Sequence, residues 1–183
     1  MTAPARLYRV VGLDISLTST GVATLGGTVT IPTTGRRRDA LTARHARLAH
    51  ITREVLREVG AVDLVVVEGP AYRAAHMAGH HDASGLWWRI TGALIDRGIP
   101  VAVMPPACRA RYATGSGAAR KTAVLAAVQQ RYGAVCATDD EADALVLRAA
   151  GLDWLGQPLA DVPAGHRAAL GGVAWPDRQQ VTR

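Results

Sequence analysis

The first part of the chain carries three short apolar runs and then one long amphipathic stretch. The three runs, rich in β-branched residues and separated by glycine-containing breaks, occupy residues 7–15, 20–26 and 28–31. This pattern predicts one strand followed by a hairpin whose turn lies at Gly26-Gly27. Apolar residues then recur at helical spacing over residues 39–59, and Gly60 predicts the end of that helix.

The second part of the chain predicts two more strands, each followed by helical segments. Short apolar runs bounded by glycine or proline occupy residues 62–69 and 99–106, which is typical of buried strands. Helical spacing covers residues 85–97, 118–132 and 138–150. Thr138 and Glu141 form a capping-box pattern at the start of the last helix, and Gly151 is predicted to end it. Residues 70–84 predict a loop or short helix, and residues 107–113 predict a single helical turn.

The order of these elements predicts an α/β fold. Three consecutive strands, followed by alternating helices and strands, predict a mixed sheet that is antiparallel at its start and parallel afterwards, with helices on its faces. After residue 152 the periodic pattern ends, and three prolines and the pair Gly171-Gly172 interrupt the sequence. The chain is therefore divided into a domain at residues 1–152 and a Pro/Gly-rich tail at residues 153–183. We expect this tail to pack loosely or to meet a partner.

Two acidic residues end otherwise apolar strands. Asp14 lies near the end of the first predicted strand, and Glu68 lies at the end of the fourth. A single acid at such a place is usually a turn residue or a cap. Ligands of open α/β sheets bind at the carboxyl ends of the strands, so two acids that end two core strands favour a shared site.

A third acidic group begins the last predicted helix, at Asp139, Asp140, Glu141 and Asp143. Acids in a first helical turn ordinarily complement the helix dipole, which accounts for Asp139 and Glu141. Asp143 lies among Ala and Leu residues, which predicts a costly position close to the buried stripe. Residues three apart share a helix face, so Asp140 and Asp143 project together, and this spacing favours Asp140 over Asp139.

Carboxylates gathered at one place repel each other and raise one another's pKa values, and a divalent metal removes that penalty. Mg²⁺ takes hard oxygen ligands and keeps positions for water and phosphate. Two such ions activate a water and stabilise the leaving oxygen in phosphoryl transfer. The candidate catalytic and metal-binding residues are Asp14, Glu68, Asp140 and Asp143.

Composition narrows the classes of partner. The 183 residues include 21 Lys+Arg against 15 Asp+Glu, a formal net charge of +6, and 49% hydrophobic residues exclude a disordered chain. No apolar run approaches the length of a membrane span and no signal core is visible, so we expect no membrane partner and a cytoplasmic location in a bacterium or a phage host.

The positive net charge favours a polyanion as the binding partner. Lys121, the only lysine, follows Arg120 at a predicted helix start, which favours phosphate binding.

Four segments of the sequence resemble the RuvC family of Holliday-junction resolvases, which have the RNase H-like fold. VVGLDISLTSTGVATLGG is similar to the family's opening strand and hairpin, and VDLVVVEGP is similar to the strand with its catalytic Glu. TDDEADALVLRAAG is similar to the final helix with its Asp-x-x-Asp pair, and RYATGSGAARKTAVLAAV is similar to the glycine break and basic helix start. The resemblance covers residues 8–152.

The resemblance implies an RNase H-like five-stranded mixed sheet, flanked by helices, and a homodimer that binds a four-way DNA junction. It implies two Mg²⁺ or Mn²⁺ ions per active site, no organic cofactor, and paired nicks that leave 5′-phosphate and 3′-hydroxyl ends. It assigns the catalytic acids to Asp14, Glu68, Asp140 and Asp143. The family places an aromatic wedge after the Glu strand, where this chain has Tyr72 and Met77 in a His-rich loop. A hydroxyl beside Asp14 could bind phosphate. The candidate DNA-binding residues are Lys121, Arg120, Ser19, Tyr72, Arg73 and Met77.

Other functions are weighed against this one. A nucleotide-binding kinase or heat-shock-type ATPase would require Gly where Ser16 stands, and two duplicated domains that 183 residues cannot supply. A YqgF-type nuclease acting on RNA would lack the long segment between Glu68 and the last helix. A non-catalytic junction-binding protein would not need the full acidic set.

Overall fold

A five-stranded sheet forms the centre of the computed structural model, which describes residues 6–70 and 79–181. The strands are β1 (Val10–Asp14), β2 (Ser19–Thr24), β3 (Gly27–Pro32), β4 (Leu64–Glu68) and β5 (Val101–Met104). They are arranged in the order β3-β2-β1-β4-β5. The pairs β1–β2 and β2–β3 are antiparallel, whereas β1–β4 and β4–β5 are parallel. The mixed sheet that the sequence predicts is confirmed.

Helices cover both faces of this sheet. The long helices are α1 (Leu41–Val59), α2 (His80–Asp96), α3 (Pro106–Thr114), α4 (Lys121–Tyr132) and α5 (Asp139–Trp154). One core lies between the sheet and the pair α1 and α2, and includes Leu13, Ile51 and Ile90. The second core lies on the opposite face, under α3, α4 and α5, and includes Val66 and Leu147.

Helix α5 packs closely against the sheet, and every residue from Glu141 to Asp153 is buried. Two glycines in the strands allow this approach. A Cβ atom at Gly12 of β1 would lie 2.0 Å from the carbonyl oxygen of Ala144, and one at Gly21 of β2 would lie 2.0 Å from that of Asp140. Any larger residue at these two positions would push away the helix that carries the acidic pair.

The two largest differences between predicted and observed helix boundaries are at the end of α5 and the start of α2. Helix α5 continues past Gly151 to Trp154. A Cβ atom at residue 151 would lie 2.7 Å from Cγ2 of Val66, so Gly151 is needed for close packing and does not end the helix. Helix α2 begins at His80, five residues before the predicted start, with Gly79 in the left-handed conformation at its N-cap (φ 93°).

The C-terminal segment packs on the domain and is not loose. It contains α6 (Ala164–Arg167), a 3₁₀ turn (Ala168–Gly172) and α7 (Arg178–Val181). Ala174 and Val103 exchange two backbone hydrogen bonds of 3.0 Å at the edge of β5, and the rings of Trp154 and Trp175 stack at 4.6 Å. Val173 and Val181 are buried in the second core. The division of the chain at residues 152 and 153 stays a prediction.

Within the described residues, none of the helices has the length and apolar character needed to cross a membrane.

Candidate active site

Three of the predicted acids meet at one edge of the sheet. Asp14 ends β1 and Glu68 ends β4, and these strands are parallel neighbours in which Leu13 faces Val67, so the two acids leave the sheet side by side. Asp143 reaches the same edge from α5, which packs on β1. Asp14 and Asp143 are only 8% and 3% exposed. We call Asp14, Glu68 and Asp143 the acid cluster.

Burial and mutual repulsion shift the pKa values in the acid cluster. Burial, followed by the charges of Glu68 and Asp143, raises the pKa of Asp14 to about 9. Burial also raises the pKa of Asp143 to about 6, although the guanidinium of Arg109 opposes the rise. A divalent cation would favour the charged forms of these carboxylates and lower both pKa values again.

Arg109 is a residue of this site that the sequence analysis did not identify. Its Nε donates to Oε1 of Glu68 at 2.5 Å, and its Nη1 donates to Oδ1 of Asp143. Its side chain is 11% exposed. The available signal was its place near the start of the helix after β5, because β5 runs parallel to β4 and ends at the same edge of the sheet.

The acid cluster has the donor chemistry for a metal but is not arranged around one. Among the residues described, no three or more His, Cys, Asp or Glu side chains are grouped so that they could hold a metal ion. Arg109 binds two of the three carboxylates. The donors are hard carboxylate oxygens, which suit Mg²⁺ or Mn²⁺, and three acids face one guanidinium. This donor set fits a divalent cation once Arg109 gives up its contacts.

The structure distinguishes Asp139 from Asp140. Asp139 accepts a hydrogen bond from Nζ of Lys121, which is the first cause of the lowered pKa of Asp139. The charge of Asp140 raises the pKa of Lys121, and the charge of Asp139 is among the causes that raise the pKa of Asp143. Lys121 opens α4 with Arg120 at its N-cap, and its side chain is 69% exposed. The role of Asp140 as a metal ligand stays a prediction.

The remaining candidate DNA contacts are only partly placed. Ser19 begins β2, next to a turn in which Ser16 and Thr20 bond each other: the Thr20 hydroxyl donates to the carbonyl of Ser16 at 2.7 Å. Thr20 is therefore committed to the turn, whereas Ser19 is half-buried at the rim. Tyr72, Arg73 and Met77 lie outside the described residues, so their predicted role is not tested.

A cleft of about 580 Å³ opens beside Glu68. His80, Ser84, Trp87 and Trp88 of α2 form one wall. Nε1 of Trp87 donates to the carbonyl oxygen of Glu68 at 2.9 Å, which fixes α2 to the end of β4. Trp88 is 67% exposed. Of the acid cluster, Glu68 lines this cleft, so the cleft adjoins the cluster on the side of α2.

Comparison of the fold with solved structures finds RuvC proteins. One is a structure of Thermus thermophilus RuvC, with a TM-score of 0.63 and 20% sequence identity over 85% of this chain and 99% of that chain. Another is T. thermophilus RuvC in complex with a Holliday junction substrate, with a TM-score of 0.62 and 19% identity over 86% and 100% of the two chains. No protein-family model matches the sequence, and no curated protein matches it either. The chain therefore has the fold of RuvC.

Proposed function

We propose that this protein is a metal-dependent endonuclease that cuts branched DNA, in particular four-way junctions, by paired nicks. One observation carries the proposal: the acid cluster lies at the carboxyl ends of two central strands, on the fold of a protein solved with a Holliday junction substrate. An acid surplus beside an open cleft is poorly explained by stability alone, because buried carboxylates without enough cations are costly.

Asp14, Glu68, Asp143 and the predicted ligand Asp140 would hold the metal ions. Divalent ions in such a site supply an activated water and stabilise the charge of a phosphodiester during hydrolysis. The protein's own contribution is positional. Because Asp14 and Glu68 leave adjacent strands and α5 is pressed against β1 by Gly12 and Gly21, the carboxylates cannot spread apart to relieve their repulsion.

The substrate's phosphates would meet positive charge on α4. Lys121 and Arg120 lie at the start of that helix, where backbone amides add partial positive charge. Asp139 holds Lys121 in place without burying it. A phosphate can therefore replace Asp139 as the partner of the lysine at little cost, since exposed ion pairs contribute about 0–1 kcal/mol.

Paired nicks also require two active sites. The described residues contain one acid cluster, so one chain supplies one nick. We therefore propose a homodimer, in which each copy cuts one of two opposing strands.

A second candidate function has one observation in its favour. Arg109 already satisfies Glu68 and Asp143 in part without a metal, as expected of a junction-binding protein that does not cut. An RNA substrate for a YqgF-type nuclease is the third outcome that an experiment must separate.

The deciding experiment incubates the full chain with a mobile four-way junction, a Y-fork, a linear duplex and a structured RNA, each with Mg²⁺, Mn²⁺ or EDTA. We expect symmetric paired nicks in the junction with either metal and none in EDTA. The Asp14→Asn variant is expected to bind the junction but to lose cleavage by at least ~10²-fold, on the scale of removing one electrostatic stabiliser of a transition state.

The matched control is Asp161→Asn, because Asp161 is an exposed acid in the C-terminal segment; it should cut like the wild type. Binding of the junction without any product in Mn²⁺ would instead support the non-catalytic protein. Cleavage of the RNA alone would support the RNA nuclease.

A further inference from the structure

We infer that Arg109 is the resident counter-ion of the acid cluster and competes with divalent cations for Glu68 and Asp143, an inference that rests on the proposed function. Arg109 donates from Nε to Oε1 of Glu68 at 2.5 Å and from Nη1 to Oδ1 of Asp143. A metal held by these two carboxylates would draw on the same oxygens and the same negative charge. Metal binding and the two Arg109 contacts therefore oppose each other.

The balance of charge makes such an exchange favourable. One guanidinium faces three carboxylates, and the charge of Lys121 acts on Asp143 from farther away, so the acid cluster keeps a surplus of negative charge. A divalent ion carries more charge in a smaller volume and binds carboxylate oxygens directly. The two ion pairs of Arg109 offset part of the repulsion in the acid cluster and do not neutralise it.

The exchange requires motion of one side chain and no movement of a helix. Helix α3 is fixed on both sides of Arg109. The hydroxyl of Tyr112 donates to Oδ2 of Asp153 at 3.0 Å, and Gly172 lies so close to Cys108 that a Cβ atom there would be 2.7 Å from Sγ. The long arginine side chain can rotate while α3 stays in place.

Once released, the guanidinium remains at the rim of the site. Arginine binds phosphate oxygens through paired hydrogen bonds as readily as it binds carboxylates. The phosphodiester that enters the site is thus the natural next partner of Arg109. In this arrangement Arg109 pairs with the carboxylates when no metal is bound and helps to position the substrate phosphate when metal is bound.

Mn²⁺ binding tests the competition without relying on cleavage. Titration calorimetry of the metal-stripped chain would compare the wild type with Arg109→Gln, Arg109→Lys and the control Arg111→Gln. Arg111 lies on the same helix with its side chain exposed, so the control removes equal charge without touching the acid cluster. We expect Arg109→Gln to bind Mn²⁺ about tenfold more tightly, which corresponds to ~1.4 kcal/mol.

Arg109→Lys should fall between Arg109→Gln and the wild type, because lysine keeps the charge but loses the two-pronged contact. Arg111→Gln should bind Mn²⁺ like the wild type. A melting experiment should show a lower Tm for metal-free Arg109→Gln and a larger upward shift with Mn²⁺. A purely structural role would weaken metal binding in the variant instead of strengthening it.

Equal or weaker Mn²⁺ binding in both Arg109 variants would overturn the inference, and Arg109→Lys keeps the test valid if Arg109→Gln does not fold without metal. This failure differs from failure of the proposed function. A wild type that cuts the junction while the Arg109 variants bind Mn²⁺ unchanged keeps the function and removes the inference. If the wild type cuts no substrate while the Arg109 variants bind Mn²⁺ more tightly, the inference holds and the proposed function fails.

Discussion

Helix α5 carries a buried aspartate near each end, and the two carboxylates differ in how completely they are paired. Near the C-terminal end, the Asp153 side chain is fully buried and accepts hydrogen bonds from Arg167 at 2.7 and 3.0 Å and from the hydroxyl of Tyr112 at 3.0 Å. Near the N-terminal end, Asp143 accepts from Arg109, but it shares that arginine with Glu68 and faces Asp14 as well.

The difference separates a structural carboxylate from one available for chemistry. Asp153 has one guanidinium and one hydroxyl for a single negative charge, so its pairing is complete. Asp143 belongs to a group of three acids with one guanidinium. Removing one partner of a fully paired buried acid is strongly destabilising, whereas a surplus of buried acids marks a place where a cation would be stabilising.

The largest effects should come from neutralising each aspartate in turn. Asp143→Asn is expected to lower junction cleavage by at least ~10²-fold, because it removes a ligand from the site. Asp153→Ala is expected to leave cleavage per folded molecule unchanged and to destabilise the protein by about 3 kcal/mol. That value is at the low end for breaking a buried pair, because the Arg167 side chain is 52% exposed and can turn to water.

Cleavage rates and urea unfolding midpoints on the same preparations would check both effects. A stability loss of about 3 kcal/mol should lower Tm by roughly 6–12 °C in a domain of this size. If Asp153→Ala lost cleavage while remaining folded, or if Asp143→Asn kept it, the contrast between the two ends would not hold.

The pH dependence of stability should report the acid surplus in the metal-free chain. Because the pKa of Asp14 is raised from 3.8 to about 9 in the folded state, the folded protein keeps a proton that the unfolded chain releases. The contribution of Asp14 to stability is then fully present below about pH 4 and is lost as pH rises toward 9, with a slope of up to ~1.4 kcal/mol per pH unit for one proton. Asp14→Asn should flatten this slope.

Urea unfolding in EDTA at about pH 5 and about pH 8 would measure the slope. Asp161→Asn serves as the control and should keep the slope of the wild type, because Asp161 is exposed and lies in the C-terminal segment. Adding Mn²⁺ should reduce the slope, since a bound cation stabilises the ionised carboxylates. A wild type whose stability rises over this range would contradict the assignment of Asp14 to a repulsive cluster.

The local elements could be predicted from the sequence because each depends on neighbouring residues. The strands that end in Asp14 and Glu68 are short apolar runs between breaks, and the start of α5 follows from Thr138, whose hydroxyl accepts from the amide of Glu141 at 3.1 Å. The sequence therefore predicts one site made of four acids, and three of these, Asp14, Glu68 and Asp143, meet in the structure. Asp140, the fourth predicted acid, depends on side-chain placement that spacing alone does not determine.

Contacts between residues far apart in the chain could not be predicted from local patterns. Arg109 is 41 residues from Glu68 and 34 from Asp143, and no periodic pattern records such a meeting. A helix that ends at Gly151 places Asp153 in a loosely packed tail, whereas α5 continues to Trp154. Both errors arise from tertiary packing, which places a glycine inside a helix and pairs an arginine with distant acids.

The smallest of these effects, and the one that tests whether the two ends of α5 act independently, concerns Tyr112. Tyr112→Phe removes the hydroxyl that donates to Asp153 and leaves Arg167 in place, so we expect a loss of about 1–2 kcal/mol in unfolding free energy.

Tyr112 lies on the same helix as Arg109. If α3 merely needs to stay in place for the acid cluster to work, Mn²⁺ affinity should be unchanged in Tyr112→Phe. The double variant Tyr112→Phe, Arg109→Gln should then show additive stability changes within about 0.5 kcal/mol, as separate sites do. A larger coupling would mean that the Asp153 pair tunes the acid cluster through α3, and that the fully paired carboxylate also contributes to the site.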